Sequence, residues 1–84
     1  MGLVDSKRTK RLYDAVLAHR KDCDFESIQR LLLALGFSER KTGGSHHTYT
    51  LRLPDGRTLR ITVPKHRPVK KHYVNALIEM IEGA

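Results

Sequence analysis

Two adjacent histidines follow a glycine turn in the segment Gly43-Gly44-Ser45-His46-His47, and they are the residues of this chain best suited to chemistry. Imidazole is the side chain that gains and loses a proton near neutral pH. In RNA the ribose 2′-hydroxyl is a built-in nucleophile, so one histidine that takes its proton, with nearby cations to stabilise the phosphoryl oxygens, supports cleavage. The segment therefore predicts acid–base chemistry on a phosphodiester, against the alternative of two polar residues in an ordinary hairpin.

The positive charge of the chain is concentrated around the same segment. The 84 residues include 16 Lys and Arg against 9 Asp and Glu, for a net charge of +7. Nine of the basic residues and two of the acidic ones fall between Phe37 and Tyr73, so the whole excess lies there. Phosphates attract such a segment whatever the nucleotide sequence, which makes a nucleic acid the expected partner and a merely solvated surface the alternative. No membrane partner is expected, because the basic residues do not follow one face of an amphipathic helix.

The short chain limits the kind of site it can hold. A chain of 84 residues buries only about 60–65% of its unfolded surface, so we expect one domain over residues 1–84, without a deep cofactor cleft. The expected substrate is then a polymer that lies across the surface, and no cofactor is expected. Cys23 is the only cysteine, and no signal peptide or long apolar run occurs, so the cytoplasm is the expected location.

Apolar residues at helical spacing predict three helices. The first covers residues 6–20 as an amphipathic segment. The second follows Asp24, whose carboxylate is expected to accept from the free amides of the first turn, and it ends at Gly36 in the left-handed conformation. The third runs from about residue 69 and stops at Gly83.

Alternating apolar and polar residues predict three strands between the second and third helices. The first, over residues 37–42, is weak, and the other two flank the turn Leu53-Pro54-Asp55-Gly56-Arg57, which predicts that they pair antiparallel. Residues 64–68 indicate an exposed basic loop, since two prolines lack a donor. The order α-α-β-β-β-α predicts an α+β fold in which helices cover one face of a three-stranded antiparallel sheet. Its αβββα part, residues 25–82, resembles the double-stranded-RNA-binding domain, with the helix over 6–20 as an addition.

Strand alternation separates the two histidines. If Tyr49 and the apolar side chains that alternate with it face the helices, His47 lies on their side of the sheet, and His46 lies with Thr48 on the open face. His46 is then the imidazole that can reach a phosphodiester. A bulge after Gly44 would reverse the alternation, so His47 remains the alternative.

Cations and hydroxyl groups near the histidines are expected to hold the phosphate. Lys41, Arg52 and Lys65 are the nearest cations by sequence, and Ser45 offers a hydroxyl beside the amides of the glycine turn. The predicted RNA- or phosphate-binding residues are Lys41, Gly44, Ser45, Arg52, Lys65 and Arg67. A metal centre on His46, His47, His66 and His72 is not expected, because adjacent strand histidines point to opposite faces and no cysteine or acidic cluster lies nearby.

Four segments in the same order resemble the HicA family of small toxins. They are Leu-Leu-Ala-Leu-Gly-Phe at 32–37, Gly-Ser-His-His at 44–47, Thr-Val-Pro-Lys-His at 62–66, and the closing helix. The resemblance runs from about Phe25 to Ile81, and the helix over 6–20 departs from the most compact members.

The resemblance implies a function and a partner for the chain. HicA toxins are messenger-RNA interferases that a HicB antitoxin neutralises, so the resemblance implies a metal-independent endoribonuclease that acts on single-stranded mRNA or other RNA. The family's catalytic histidine falls in the Gly-Ser-His motif, which implies that role for His46, with His47 as the alternative. Two other classes stay open from the residues alone: a non-catalytic nucleic-acid-binding module, and a protein-interaction domain that docks an acidic partner.

Overall fold

The structure, a computed structural model, describes residues 3–41 and 43–84. Its elements in chain order are α1 (Lys7–Ala18), α2 (Phe25–Ala34), β1 (Ser38–Lys41), β2 (His46–Arg52), β3 (Thr58–Pro64) and α3 (Lys71–Glu82). The predicted α+β fold and element order are therefore confirmed. Met1 and Gly2 lie outside the described residues, as does Thr42, the last residue of the predicted first strand. Within the two described ranges, no helix is both long and apolar enough to cross a membrane.

The three strands form one antiparallel sheet with β2 in the centre. Residues that pair across strands point to the same side, so the register divides the sheet into two faces. Tyr49, Ile61 and Val63 lie on the face that packs against the helices, which we call the helix face. The largest fully buried side chains come from this layer and from α2 and α3: Tyr49, Phe25, Ile28, Leu31, Leu32 and Leu77. Burial of the apolar stripes predicted for the second and third helices thus provides the core.

The start of α2 differs from the sequence prediction. Asp24 is the N-cap residue, but its carboxylate makes no capping hydrogen bond. The amides of Ser27 and Ile28 instead donate to the Asp24 carbonyl oxygen, at N···O distances of 3.2 and 3.4 Å. The prediction of a carboxylate cap was therefore wrong, because the exposed carboxylate is left to water and the backbone closes the first turn.

The first helix is capped at its start and is tied to the rest of the fold by a side-chain hydrogen bond. Ser6 caps α1 through a reciprocal pair of hydrogen bonds with Thr9. Buried Tyr13 donates its hydroxyl to Glu82 Oε2 at the end of α3, with an O···O distance of 2.5 Å. Burial, aided by this carboxylate, raises the pKa of Tyr13 to about 12. The predicted helix over residues 6–20 is thus confirmed, slightly shortened, and it docks against α2 and α3.

Gly36 ends α2 in the predicted left-handed conformation, with φ of +102°. The Phe37 amide donates to the Leu32 carbonyl at 3.0 Å, and the Gly36 amide donates to the Leu33 carbonyl at 3.1 Å. These two bonds form a Schellman motif, which satisfies helix-end carbonyls and turns the chain into β1.

Substitution of Gly36 should therefore cost stability through the backbone. An alanine Cβ would lie 3.6 Å from Leu51 Cδ1, an ordinary contact, so we expect the positive φ alone to make Gly36→Ala less stable. The expected loss in the free energy of unfolding is about 1–2 kcal/mol, measured by urea denaturation. Gly36→Asn serves as the graded control and should lose less, since asparagine tolerates this region better. An unchanged stability of Gly36→Ala would contradict a backbone requirement at this position.

Candidate active site

The turn that carries the two histidines is held at the end of the sheet. Gly43 and Gly44 both have positive φ, of +100° and +55°, which glycine adopts without steric cost. The His46 amide donates to the Gly43 carbonyl at 3.1 Å, which closes the turn. The Lys65 amide donates to the Ser45 carbonyl at 2.7 Å, which fastens the turn to the loop after β3. Backbone hydrogen bonds at His46 and at the preceding Ser45 thus fix the position of His46.

The two histidines have opposite environments, as strand alternation predicts. His46 is exposed at the first position of β2, where it pairs with Pro64 on β3. His47 is only 6% exposed, and its ring packs against Phe25 of α2 at a centroid distance of 4.9 Å. His47 Nδ1 lies 3.1 Å from Glu39 Oε2. The imidazole available to a substrate is therefore that of His46, while His47 is part of the interior.

One carboxylate oxygen accepts hydrogen bonds from several side chains beneath the histidine turn. Glu39 Oε2 accepts from Gln29 Nε2 at 2.7 Å and from the Tyr49 hydroxyl at 2.5 Å, in addition to its contact with His47. An ionised carboxylate only accepts hydrogen bonds, so His47 Nδ1 carries the proton in this contact. The three contacts join α2, β1 and β2 at one atom, and we call this group of side chains the Glu39 cluster.

The Glu39 cluster shifts the pKa values of its own members. The Tyr49 hydrogen bond, followed by those from Gln29 and His47, holds the pKa of Glu39 below its ordinary value despite the opposing effect of burial. Burial and the same carboxylate raise the pKa of Tyr49. At neutral pH the cluster is therefore an ionised carboxylate surrounded by donors, which is its favourable state.

The side of the sheet opposite the helix face carries His46, and its residues are polar except for Pro64. By register this open face consists of Ser38, Arg40, His46, Thr48, Thr50, Arg52, Thr58, Arg60, Thr62 and Pro64. A groove of about 390 Å³ lies on it, bordered by Arg40 and Arg60 among others. Neither arginine belongs to the residues predicted to bind phosphate. Alternation combined with strand register would have found both, but the register is not available from the sequence alone.

The six residues predicted to hold phosphate do not form one cluster. Ser45 and Lys65 adjoin His46 through the bonded turn. Lys41 pairs with His47, so it belongs to the opposite side of the sheet, although its side chain is exposed. Arg52 lies on the open face but six residues along β2 from His46, a distance of about 20 Å.

Arg67 has a structural contact, and Gly44 shapes the turn. Arg67 Nη2 lies 3.5 Å from Glu26 Oε2, so its charge is shared with α2, although 80% of its side chain is exposed. The exposed loop predicted over residues 64–68 is present, except that Pro64 itself is buried at the end of β3, an edge strand where its missing donor is tolerated.

Within residues 3–41 and 43–84, no group of three or more His, Cys, Asp or Glu side chains is placed to hold a metal ion.

The fold and the site together are those of a small, basic α+β protein whose sheet presents an exposed histidine among arginines and threonines. Residues 25–82 match the family model of the HicA toxin of bacterial toxin–antitoxin systems, and the chain belongs to this family. The match begins at the first residue of α2 and ends at the last residue of α3, which leaves α1 outside it. No curated protein and no solved structure gave a significant match. The family makes the chain a toxin of a toxin–antitoxin pair and, in general terms, a nuclease.

The Glu39 cluster predicts a pH-dependent contribution to stability. Because the pKa of Glu39 is lower in the folded state, its bonds stabilise the fold at neutral pH, and this contribution is lost as the pH falls from about 4.5 through the folded value. Glu39→Gln should therefore lower the free energy of unfolding by about 1–3 kcal/mol at pH 7, with a smaller difference at pH 3. Urea denaturation at both pH values measures this. The matched control is Glu79→Gln, which removes an exposed carboxylate of α3 and should cost less than about 0.5 kcal/mol at pH 7. A pH-independent loss in Glu39→Gln would show that the carboxylate charge is not what matters.

Proposed function

We propose that this protein is a HicA-type toxin that cleaves single-stranded mRNA as a metal-independent endoribonuclease, with His46 as the general base. The observation that carries the proposal is the difference in environment between the two histidines. His47 is buried and bonded to Glu39, whereas His46 is exposed on the open face at the end of a glycine turn. Membership of the HicA family supports a nuclease, and the basic surface around the turn suits an RNA substrate.

The proposed reaction uses the nucleophile that RNA supplies. Neutral His46 takes the proton of a ribose 2′-hydroxyl, and the 2′-oxygen forms a bond to the adjacent phosphorus. The bond from phosphorus to the 5′-oxygen of the next nucleotide breaks, and that oxygen leaves with a proton from water. The products are a 2′,3′-cyclic phosphate and a 5′-hydroxyl end, and the proton on His46 returns to solvent.

Groups of the turn and the following loop are proposed to stabilise the charge on the phosphoryl oxygens. The Ser45 hydroxyl and the amides at Gly44 lie in the turn itself, and Lys65 adjoins it through the bond to the Ser45 carbonyl. Lys41, exposed at the end of β1 on the other side of the sheet, and Arg67, in the same loop as Lys65, add positive charge at this end of the sheet. Donors placed where charge develops in the transition state lower the barrier more than they strengthen substrate binding.

The first helix is proposed to belong to the same domain as the catalytic core. Residues 25–82 would form the core, and α1 would complete a single domain over residues 1–84. The support is the hydrogen bond from the Tyr13 hydroxyl to Glu82, which ties α1 to the last turn of α3.

The proposed location of the protein is the cytoplasm, where mRNA is translated.

Substitution of His46 tests the catalytic proposal. We expect His46→Ala to lose about 10²- to 10⁴-fold in cleavage rate while it keeps its affinity for RNA, because the removed group acts on the proton and not on binding. The measurement is cleavage of a labelled RNA in excess EDTA, where wild-type activity should persist. A 2′-deoxy substitution at the cleaved nucleotide should abolish cleavage. In cells, wild type should arrest growth with transcript decay, and His46→Ala should not.

The controls separate catalysis from folding and from binding. His19→Ala removes an exposed histidine outside the family match and should cleave like wild type. Loss of cleavage only in a folded His47→Ala protein would transfer the catalytic role to His47. Full activity of both variants would end the proposal. Wild-type protein that binds RNA without cleaving it would favour a non-catalytic binding module. Failure to bind RNA at low salt would favour an acidic protein partner.

We further propose a HicB-like protein as the antitoxin, on the basis of the family. A short reading frame beside the gene should encode it, and its product should co-purify with this protein. Co-expression should restore growth to cells that produce the wild-type toxin. An isolated gene, or a neighbour whose product neither binds nor rescues, would count against this partner.

A further inference from the structure

We propose that the open face of the sheet carries the RNA strand away from His46, along β2 and between Arg40 on β1 and Arg60 on β3. The inference rests on the proposed function, since it names the path and the strandedness of the substrate at the same site. It adds two arginines that the reaction at His46 does not itself require. Both arginines lie on this face by register, and both are exposed.

The positive charge of the open face exceeds the negative charge that borders it. Its register positions carry three arginines and a histidine among serine and threonine hydroxyls, and none carries a carboxylate. Within residues 3–41 and 43–84, the arginine ion pairs are those of Arg57 and Arg67, so Arg40 and Arg60 are left without one. Glu39 borders the groove, and its ionised carboxylate offsets one positive charge, so the three arginines of the face leave an excess of two. A polyanion is the ligand that such a face attracts.

The register places the two arginines at successive steps from His46. Arg40 pairs with Thr48, about 7 Å along β2 from His46, and Arg60 flanks Thr50, about 14 Å along. The two residues stand on opposite sides of β2, on strands about 10 Å apart. One sugar–phosphate backbone laid along β2 would therefore meet a guanidinium first on one side and then on the other. This spacing favours a single strand, because the second backbone of a duplex would have no matching row of cations.

The first test measures RNA binding without cleavage, so that it does not depend on catalysis. Arg40→Gln/Arg60→Gln is compared with the parent in a His46→Ala background, by fluorescence anisotropy on a 12-nucleotide single-stranded RNA over a range of salt concentrations. Two lost phosphate contacts should lower the slope of log affinity against log salt by about 1.4, or about 0.7 per contact on a single strand. Arg8→Gln/Arg11→Gln changes the net charge equally on exposed positions of α1 and should leave the slope unchanged. Arg40→Lys/Arg60→Lys should restore most of it.

The second test measures direction along the strand. In the protein with His46 intact, Arg60→Gln should leave cleavage of a dinucleotide unaffected, because so short a substrate does not reach Thr50. Arg60→Gln should cleave more slowly than wild type when the RNA is extended on one side of the scissile phosphate, either 5′ or 3′. When the RNA is extended on the other side, the two proteins should cleave at the same rate. The sensitive side gives the polarity of the strand on the open face.

Several results would overturn the path. One is a salt slope in Arg40→Gln/Arg60→Gln equal to that of the α1 control. Another is a cleavage rate of Arg60→Gln that falls equally for both extensions, or that falls already for the dinucleotide. A duplex that competes as well as a single strand would also overturn it, as would a loss of antitoxin binding with RNA binding unchanged. Absence of RNA binding by His46→Ala would remove the premise. If wild type cleaves no RNA while the salt slope falls as expected, the proposed function fails and the path of the strand stands.

Discussion

The contact on which the site depends is the group of hydrogen bonds to a single atom, Glu39 Oε2. It binds side chains from α2 and β2 to a carboxylate on β1, so three elements meet at one point beneath the histidine turn. A partly buried carboxylate without donors would be costly, but with three donors it fixes the sheet against the helix layer. Because His47 is held there, alternation along β2 sends His46 to the opposite face.

The same alternation explains why most of the architecture could be predicted from the sequence. Period-two and period-3.6 patterns identify the strands and helices, and Gly36 marks the turn between them by its freedom to take a positive φ. The orientation of His46 and His47 also followed, since it depends only on which apolar residues of the same strand face the helices. The pattern does not reveal the contacts between elements, and the function assigned to each face remains a proposal.

What the sequence could not show depends on contacts between residues distant in the chain. Glu39 looks like a polar residue of a weak strand, and its role in the interior requires Gln29 on a helix and Tyr49 on a neighbouring strand to converge on it. Arg40 and Arg60 are ordinary members of a basic segment until register puts them on the face of His46. Asp24 shows the reverse error: a residue well suited to cap a helix by type leaves its carboxylate unused.

In the proposed function, the two faces of the sheet separate stability from substrate contact. On the helix face, Tyr49 and His47 are buried and bonded to Glu39, so a change there alters folding before it alters chemistry. On the open face, the arginines contribute little to folding because they are exposed and form no ion pairs within the described ranges, so their charge is available to a ligand. In a chain too short for a deep cleft, a central strand with one buried and one open face places a histidine rigidly while leaving it accessible. A loop of the same length would give access without that rigidity, because a strand places adjacent residues on opposite faces, one buried like His47 and the next exposed like His46.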